Sequence, residues 1–119
     1  MPVSEEFREY IIERLQTVVP VHWRAMFGGL GIYSNQVHFA IASDNTLYFK
    51  VNGENRRDYE EAGMSPFRPF GGESYIMSYY EVPEDVLEDA NILAVWVEKS
   101  ISAALSRGKN KKAKKPRRK

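Results

Sequence analysis

Phe7, Tyr10, Ile11, Leu15 and Val18 recur along the chain at spacings of three and four, which is the apolar stripe of one helical face. Glu6, Arg8, Glu9, Glu13 and Gln16 fill the opposite, solvated face. Ser4 stands where a hydroxyl caps a helix, Glu5 and Glu6 suit the positive end of its dipole, and Pro20 stops it. From Met26 to Asn52 the period shortens. Segments around Phe27 to Tyr33, Gln36 to Ala42 and Thr46 to Val51 are rich in aromatic and β-branched residues, with Ser34-Asn35 and Ser43-Asp44-Asn45 between them as turn material. An antiparallel meander of three strands is expected. In its third strand Leu47, Phe49 and Val51 alternate with Tyr48, Lys50 and Asn52, so one face is buried and the other presents Tyr48 and Lys50.

A short helix, ENRRDYEEA, follows and closes at Gly63, in a position that favours a left-handed residue. Phe67 to Phe70 and Tyr75 to Tyr80 read as a second hairpin around Gly71-Gly72, with Pro69 marking the first of these strands as an edge or a bulge. Pro83 begins a turn of helix over 84–88, and Asp89 caps a last helix running to about Arg107 before Gly108. That helix is apolar on two sides: Leu93, Val97, Ile101 and Leu105 form one row, and Ile92, Trp96 and Ala103 another. So wide a stripe predicts burial against the sheet on one side and a second subunit on the other. The element order is α-β-β-β-α-β-β-α, an α+β chain.

The stretch Arg24-Ala25-Met26-Phe27-Gly28-Gly29-Leu30-Gly31-Ile32-Tyr33 places three glycines in four positions. A phosphate-binding loop needs its glycines between a strand and a helix N-terminus, so that backbone N–H groups converge on the anion. Here strand and turn follow, with no GxxxxGK[ST] pattern. The reading is a curled strand in which Met26, Phe27 and Ile32 fill the core and the glycines permit a bulge or a close backbone approach.

Charge changes the picture more than composition does. With 119 residues, 43% hydrophobic and 28% charged, the chain is sized for one soluble domain. It holds no cysteine, so disulfides and thiolate chemistry are out. No apolar run approaches the roughly 20 residues of a membrane span and no secretory leader is evident, so a cytoplasmic protein with no membrane association is expected. The last twelve residues, GKNKKAKKPRRK, carry eight basic groups (Lys109, Lys111, Lys112, Lys114, Lys115, Arg117, Arg118 and Lys119) and no acid, leaving nine basic against sixteen acidic residues and a net of −7 over 1–107. The expected organisation is a folded body at 1–107 and a disordered basic tail at 108–119. Such a tail gains affinity for DNA or RNA by counterion release, without sequence specificity.

Candidate chemistry within the body is sparse. His22 and His38 are sixteen residues apart with no cysteine and no i, i+4 partner, so neither a metal nor any other cofactor is expected; His22 beside Trp23 reads as a helix-to-strand corner. There is no GxSxG elbow, and the pairs Asp58/Glu61 and Glu84/Glu88 belong to solvated helical faces; no catalytic residue is assigned and no enzyme is expected. Tyr48, Tyr75, Tyr79, Tyr80 and Phe67 beside Arg68 and Lys50 form a pattern that can stack bases, which the acidic body opposes. A cleft near Arg24, Lys50 and Asn55 could receive a small anion. The interaction surface is therefore placed at Arg24, Tyr48, Lys50, Asn55, Tyr79, Tyr80 and Trp96.

The blocks Arg24, Met26-Phe27-Gly28-Gly29, Gly31-Ile32-Tyr33, then Leu47-Tyr48-Phe49-Lys50-Val51, Ala62-Gly63, Pro66-Phe67 and Met77-Ser78-Tyr79-Tyr80-Glu81-Val82-Pro83 resemble the N-terminal domain of the TfoX/Sxy family over roughly residues 5 to 106. The resemblance implies a five-stranded antiparallel sheet flanked by helices, similar to secretion-chaperone-like folds. It also implies a regulator of natural competence (DNA transformation) that acts at promoters with the cyclic-AMP receptor protein, and a second, helical domain in full-length members, where this sequence has the basic tail. The expectation is a non-enzymatic regulatory or adaptor domain, a homodimer, whose partner is a protein such as a transcription factor.

Overall fold

The computed structural model describes residues 3–26, 28–68 and 76–117, with the side chains of 76, 77 and 107–117 excepted. Its elements are α1 (Glu5–Gln16), β1 (His22–Met26), β2 (Gly29–Ser34), β3 (Val37–Ser43), β4 (Thr46–Lys50), α2 (Arg56–Glu61), β5 (Pro66–Phe67), β6 (Ile76–Glu81), α3 (Glu84–Glu88) and α4 (Ala90–Arg117). The α+β class holds, but the antiparallel sheet has six strands, in the order β1-β2-β3-β4-β6-β5, where five were expected. The additional strand is β1, and all of its residues are exposed except half-buried Met26. A strand with neither face buried leaves no alternation in the sequence to mark it.

The glycine cluster makes the β1–β2 hairpin. Strand β1 ends at Met26 and β2 begins at Gly29, and between them Gly28 takes φ 76°, the left-handed region that glycine enters without steric cost. A Cβ on Gly29 would collide with the carbonyl oxygen of Ala42, so bare backbone is what lets β2 lie against β3 there. The curled strand of the sequence reading is thus two strands and a turn, and Ile32 is in the core as expected while Met26 lies on the other face of the sheet. Phe27 and the expected turn at Gly71-Gly72 lie outside the described residues.

Two further tight turns shape the meander. Asn35-Gln36 and Asp44-Asn45 all have positive φ, between 50° and 69°, the signature of type I′ turns whose twist matches that of the paired strands. Ile32 pairs with Ala40 but Tyr33 with His38, so β3 carries Phe39 as an extra residue in a bulge. The bulge turns Phe39 into the core, fully buried, and leaves His38 beside Tyr33 on the opposite face.

The helices cover one face. Ile11 and Leu15 of α1, Tyr59 of α2, Val86 and Leu87 of α3, and Leu93 and Val97 of α4 pack with Leu30, Ile32, Phe39, Ala40, Ala42, Leu47, Phe49 and Tyr80 in one cluster. Burial of each large side chain contributes roughly 1.5–3 kcal/mol. Ser4 Oγ accepts from Phe7 N at 3.1 Å, and Arg14 ties α1 to the end of α3 by donating to the Leu87 and Glu88 carbonyls, both at 3.1 Å. Asp89 Oδ1 accepts from Asn91 N at 3.0 Å, the cap expected for α4. Helix α4 continues to Arg117, past Gly108 where its end was expected. One glycine costs a helix interior only about 1 kcal/mol, and the lysines beyond it are good helix formers that suit a C-terminal dipole. Among the described residues no helix is long and apolar enough to cross a membrane.

Candidate interaction face of the sheet

Alternation along the strands sends a second set of side chains to the face away from the helices. Ile41, Tyr48, Phe67 and Tyr79 form a small apolar cluster there with no helical member. Beside it a row of rings crosses the sheet, because the register sets His22 opposite Tyr33 and Tyr33 opposite His38. His22 stacks on Tyr33 at 5.3 Å and 8°, Tyr33 on His38 at 4.7 Å and 24°, and His38 meets Tyr79 at 6.0 Å and 43°. Cations lie against two of the rings: the Arg24 guanidinium is 5.9 Å from the Tyr33 ring and Lys50 Nζ 4.8 Å from the Tyr79 ring. Each such ring pair adds about 0.5–1.5 kcal/mol beyond area burial, and each cation about 0.5–1 kcal/mol or more.

This row has a titratable centre. Burial lowers the His38 pKa below the usual imidazole value and the nearby Lys50 charge lowers it further, against a backbone hydrogen bond with Ala40 that raises it. Its Nε2 is buried and has no hydrogen-bond partner among the described residues. Burial raises the Tyr48 pKa, helped by the Glu81 carboxylate. Lys50 is only 7% exposed, so its ammonium is fixed in place rather than free in solvent.

The residues singled out from sequence divide between the two faces. Arg24, Tyr48, Lys50 and Tyr79 lie on the helix-free face. Tyr80 points the other way, 6.0 Å from Tyr59, and its hydroxyl donates to Glu60 Oε2 at 3.3 Å. Trp96 packs edge-on against Tyr59 at 4.6 Å, beneath α4. Asn55 is 2% exposed and holds the turn after β4, its Oδ1 accepting from Asn52 N at 2.7 Å and its Nδ2 donating to the Lys50 carbonyl at 3.2 Å. Arg24 on β1 and Lys50 on β4 are three strand spacings apart, about 14 Å, so Arg24, Lys50 and Asn55 do not share one cleft. What joins the two cations is the row of rings, of which His22, Tyr33 and His38 were not singled out as interaction residues. Lys109, Lys111, Lys112, Lys114, Lys115 and Arg117 fall on the last turns of α4, where side chains are not described; Arg118, Lys119 and Tyr75 lie outside the described residues altogether.

The model of the TfoX N-terminal domain matches residues 13–104. The DNA transformation protein TfoX1 of Aliivibrio fischeri is 30% identical over 97 residues, which cover 80% of this chain and 46% of that protein. The chain thus spans about half the length of that curated relative. With its glycine hairpin, its six-stranded sheet and the matched span all in one frame, the chain belongs to the TfoX N-terminal domain family.

Proposed function

We propose that this domain is a regulatory adaptor in DNA transformation, acting through protein contacts and as a homodimer, with no reaction of its own. The observation that carries the reading is the helix-free face: rings held in fixed register between Arg24 and Lys50, ordered before any partner arrives. A surface whose rotamers are already locked loses little entropy on binding. The relative's role in DNA transformation supports a partner in gene regulation, a transcription factor being the class expected. The test is the pair Arg24→Glu and Tyr33→Ala, scored by transcription from transformation-gene promoters and by capture of a transcription factor on the purified chain. Both readouts fall at unchanged fold if the reading holds, and full regulatory output from the folded double variant refutes it.

A second reading rests on the charge asymmetry, eight basic residues after residue 107 against a body of −7. In it the tail draws the domain loosely to DNA or RNA. Engagement of all eight charges gives a log–log salt dependence of roughly −7, and a chain ending at residue 107 loses both the affinity and the slope. Binding unchanged by that deletion removes this reading.

A further inference from the structure

The two edges of the sheet are built differently. Strand β5 is two residues long, begins at Pro66 and changes register within its pairing to β6, the devices by which proteins keep an edge from pairing with other chains. Strand β1 has none of them. It is five residues in unbroken register with β2, contains no proline, lysine or bulge, and is exposed along its length save for half-buried Met26. Met26 pairs with Gly29 at the closed end of the hairpin, the register in which that pair is hydrogen-bonded. Alternation then turns the backbone groups of Arg24 and His22 toward β2 and those of Trp23 and Ala25 outward.

We propose that β1 is a dimerisation edge, along which two copies of this chain join antiparallel about a two-fold axis at Trp23, continuing one sheet through both molecules. Charge argues against the competing register with the longest pairing. An axis at Arg24 sets two guanidinium groups opposite each other in a non-hydrogen-bonded pair, about 4.5 Å between Cα atoms, where like charges repel. An axis at His22 leaves only His22 itself paired within the strand, since Trp23 then faces Val21 and Arg24 faces Pro20. The axis at Trp23 places Arg24 opposite His22 of the other copy and Ala25 opposite Val21. The Val21 carbonyl already accepts from Gln16 Nε2 at 3.3 Å, and its second lone pair takes the Ala25 N–H.

The side chains agree with the backbone. Trp23 points to the helix-covered side, where it is still 41% exposed, with the Arg8 guanidinium 4.8 Å from its ring. It forms one wall of a cleft of about 290 Å³ between α1 and the edge, lined also by Arg8, Glu9, Ile12, Glu13 and Gln16. At the two-fold axis the second indole meets this wall, bringing the arginine above it toward Glu9 and Glu13. A tryptophan pair covered in this way removes apolar area that the single chain leaves in water.

Because the chain has no cysteine, the register can be read by cross-linking. His22→Cys and Arg24→Cys chains, mixed and mildly oxidised, are expected to give a covalent dimer, while neither alone does. The wild-type chain should sediment at twice its 13.7 kDa mass, Ala25→Pro at half of that dimer mass, and Val95→Glu on α4 should stay dimeric. Proline at position 25 removes only an outward N–H and spares the bonds to β2. If Ala25→Pro does not fold, the cross-link alone decides. A wild-type monomer at high concentration, a folded Ala25→Pro dimer, linkage by Arg24→Cys alone, no linkage in the mixture, or loss of the dimer in Val95→Glu each overturns the proposal. The proposal rests on the homodimer of the adaptor reading: a wild-type monomer removes that clause of it too, whereas the cross-link, Ala25→Pro and Val95→Glu arms test the β1 edge alone and leave the regulatory readouts untouched.

Discussion

Alanine at Gly29 and at Gly31 should have unequal costs although the two positions are two residues apart on one strand. Both glycines have ordinary extended backbone, so neither substitution is penalised by φ. At Gly29 the new methyl meets the Ala42 carbonyl oxygen and lies 3.3 Å from Ser43 Cα. Those are backbone atoms of the neighbouring strand, and relief requires β2 and β3 to part. Overpacking of this kind costs about 1–3 kcal/mol, offset by about 0.4–1 kcal/mol from the restricted unfolded chain. The net is a loss of about 1–2 kcal/mol, or a fall in melting temperature of roughly 3–8 °C for a chain of this size. At Gly31 the methyl meets Met26 Sδ at 2.7 Å and Cε at 3.2 Å, the mobile end of a half-buried side chain, with His38 Nε2 at 3.3 Å. A thioether swings aside cheaply, and the change should stay within about 0.5 kcal/mol of wild type. Urea and thermal unfolding of both variants measure the difference. Equal stabilities, or Gly31→Ala the weaker of the two, would refute the claim that β2 needs bare backbone against β3 and only a yielding side chain against β1.

Three further outcomes are expected. Asn55→Ala removes both hydrogen bonds that close the turn after β4 and leaves the Asn52 N–H without its acceptor, for a loss of about 2 kcal/mol in urea unfolding. His38 has its folded pKa below the unfolded value of 6.5, so the unfolded chain binds the extra proton; stability is full above pH 6.5 and declines as pH falls toward the folded pKa. Melts between pH 8 and 5 should show that His38→Gln loses this part of the slope. Arg14→Ala breaks two bonds to the last carbonyls of α3 and should cost about 1–2 kcal/mol, read as earlier exchange of the α3 amides.

The parts of the fold visible in the sequence are those where one face meets the core. The stripe of α1 apart from exposed Tyr10, the alternation of Leu47 and Phe49 with Tyr48 and Lys50, the left-handed Gly63 (φ 78°) and the Asp89 cap all appear in the structure as the residues predict. Strand β1 stayed hidden because solvent reaches both of its sides, and a residue with no buried face leaves no period. The row of rings was hidden for another reason. His22, Tyr33 and His38 are neighbours only through register, and the Phe39 bulge moves that register by one residue, which periodicity within a single strand does not report. Tyr79 and Tyr80 were grouped together from sequence, although adjacent strand residues face opposite ways, one to Lys50 and one to Tyr59. Asn55 looked like a surface polar group because its partners are backbone atoms, which carry no mark in the sequence.

The type I′ turns at Asn35-Gln36 and Asp44-Asn45 also fix a sequence of events in time. Each closes a loop of two residues, so the β2–β3–β4 ribbon forms at little cost in chain entropy, whereas β6 reaches β4 only after the excursion through α2 and β5. On the ribosome the ribbon can therefore be complete while β6 is still unmade. During that interval the side of β4 that will receive β6 is an open template next to Leu47 and Phe49.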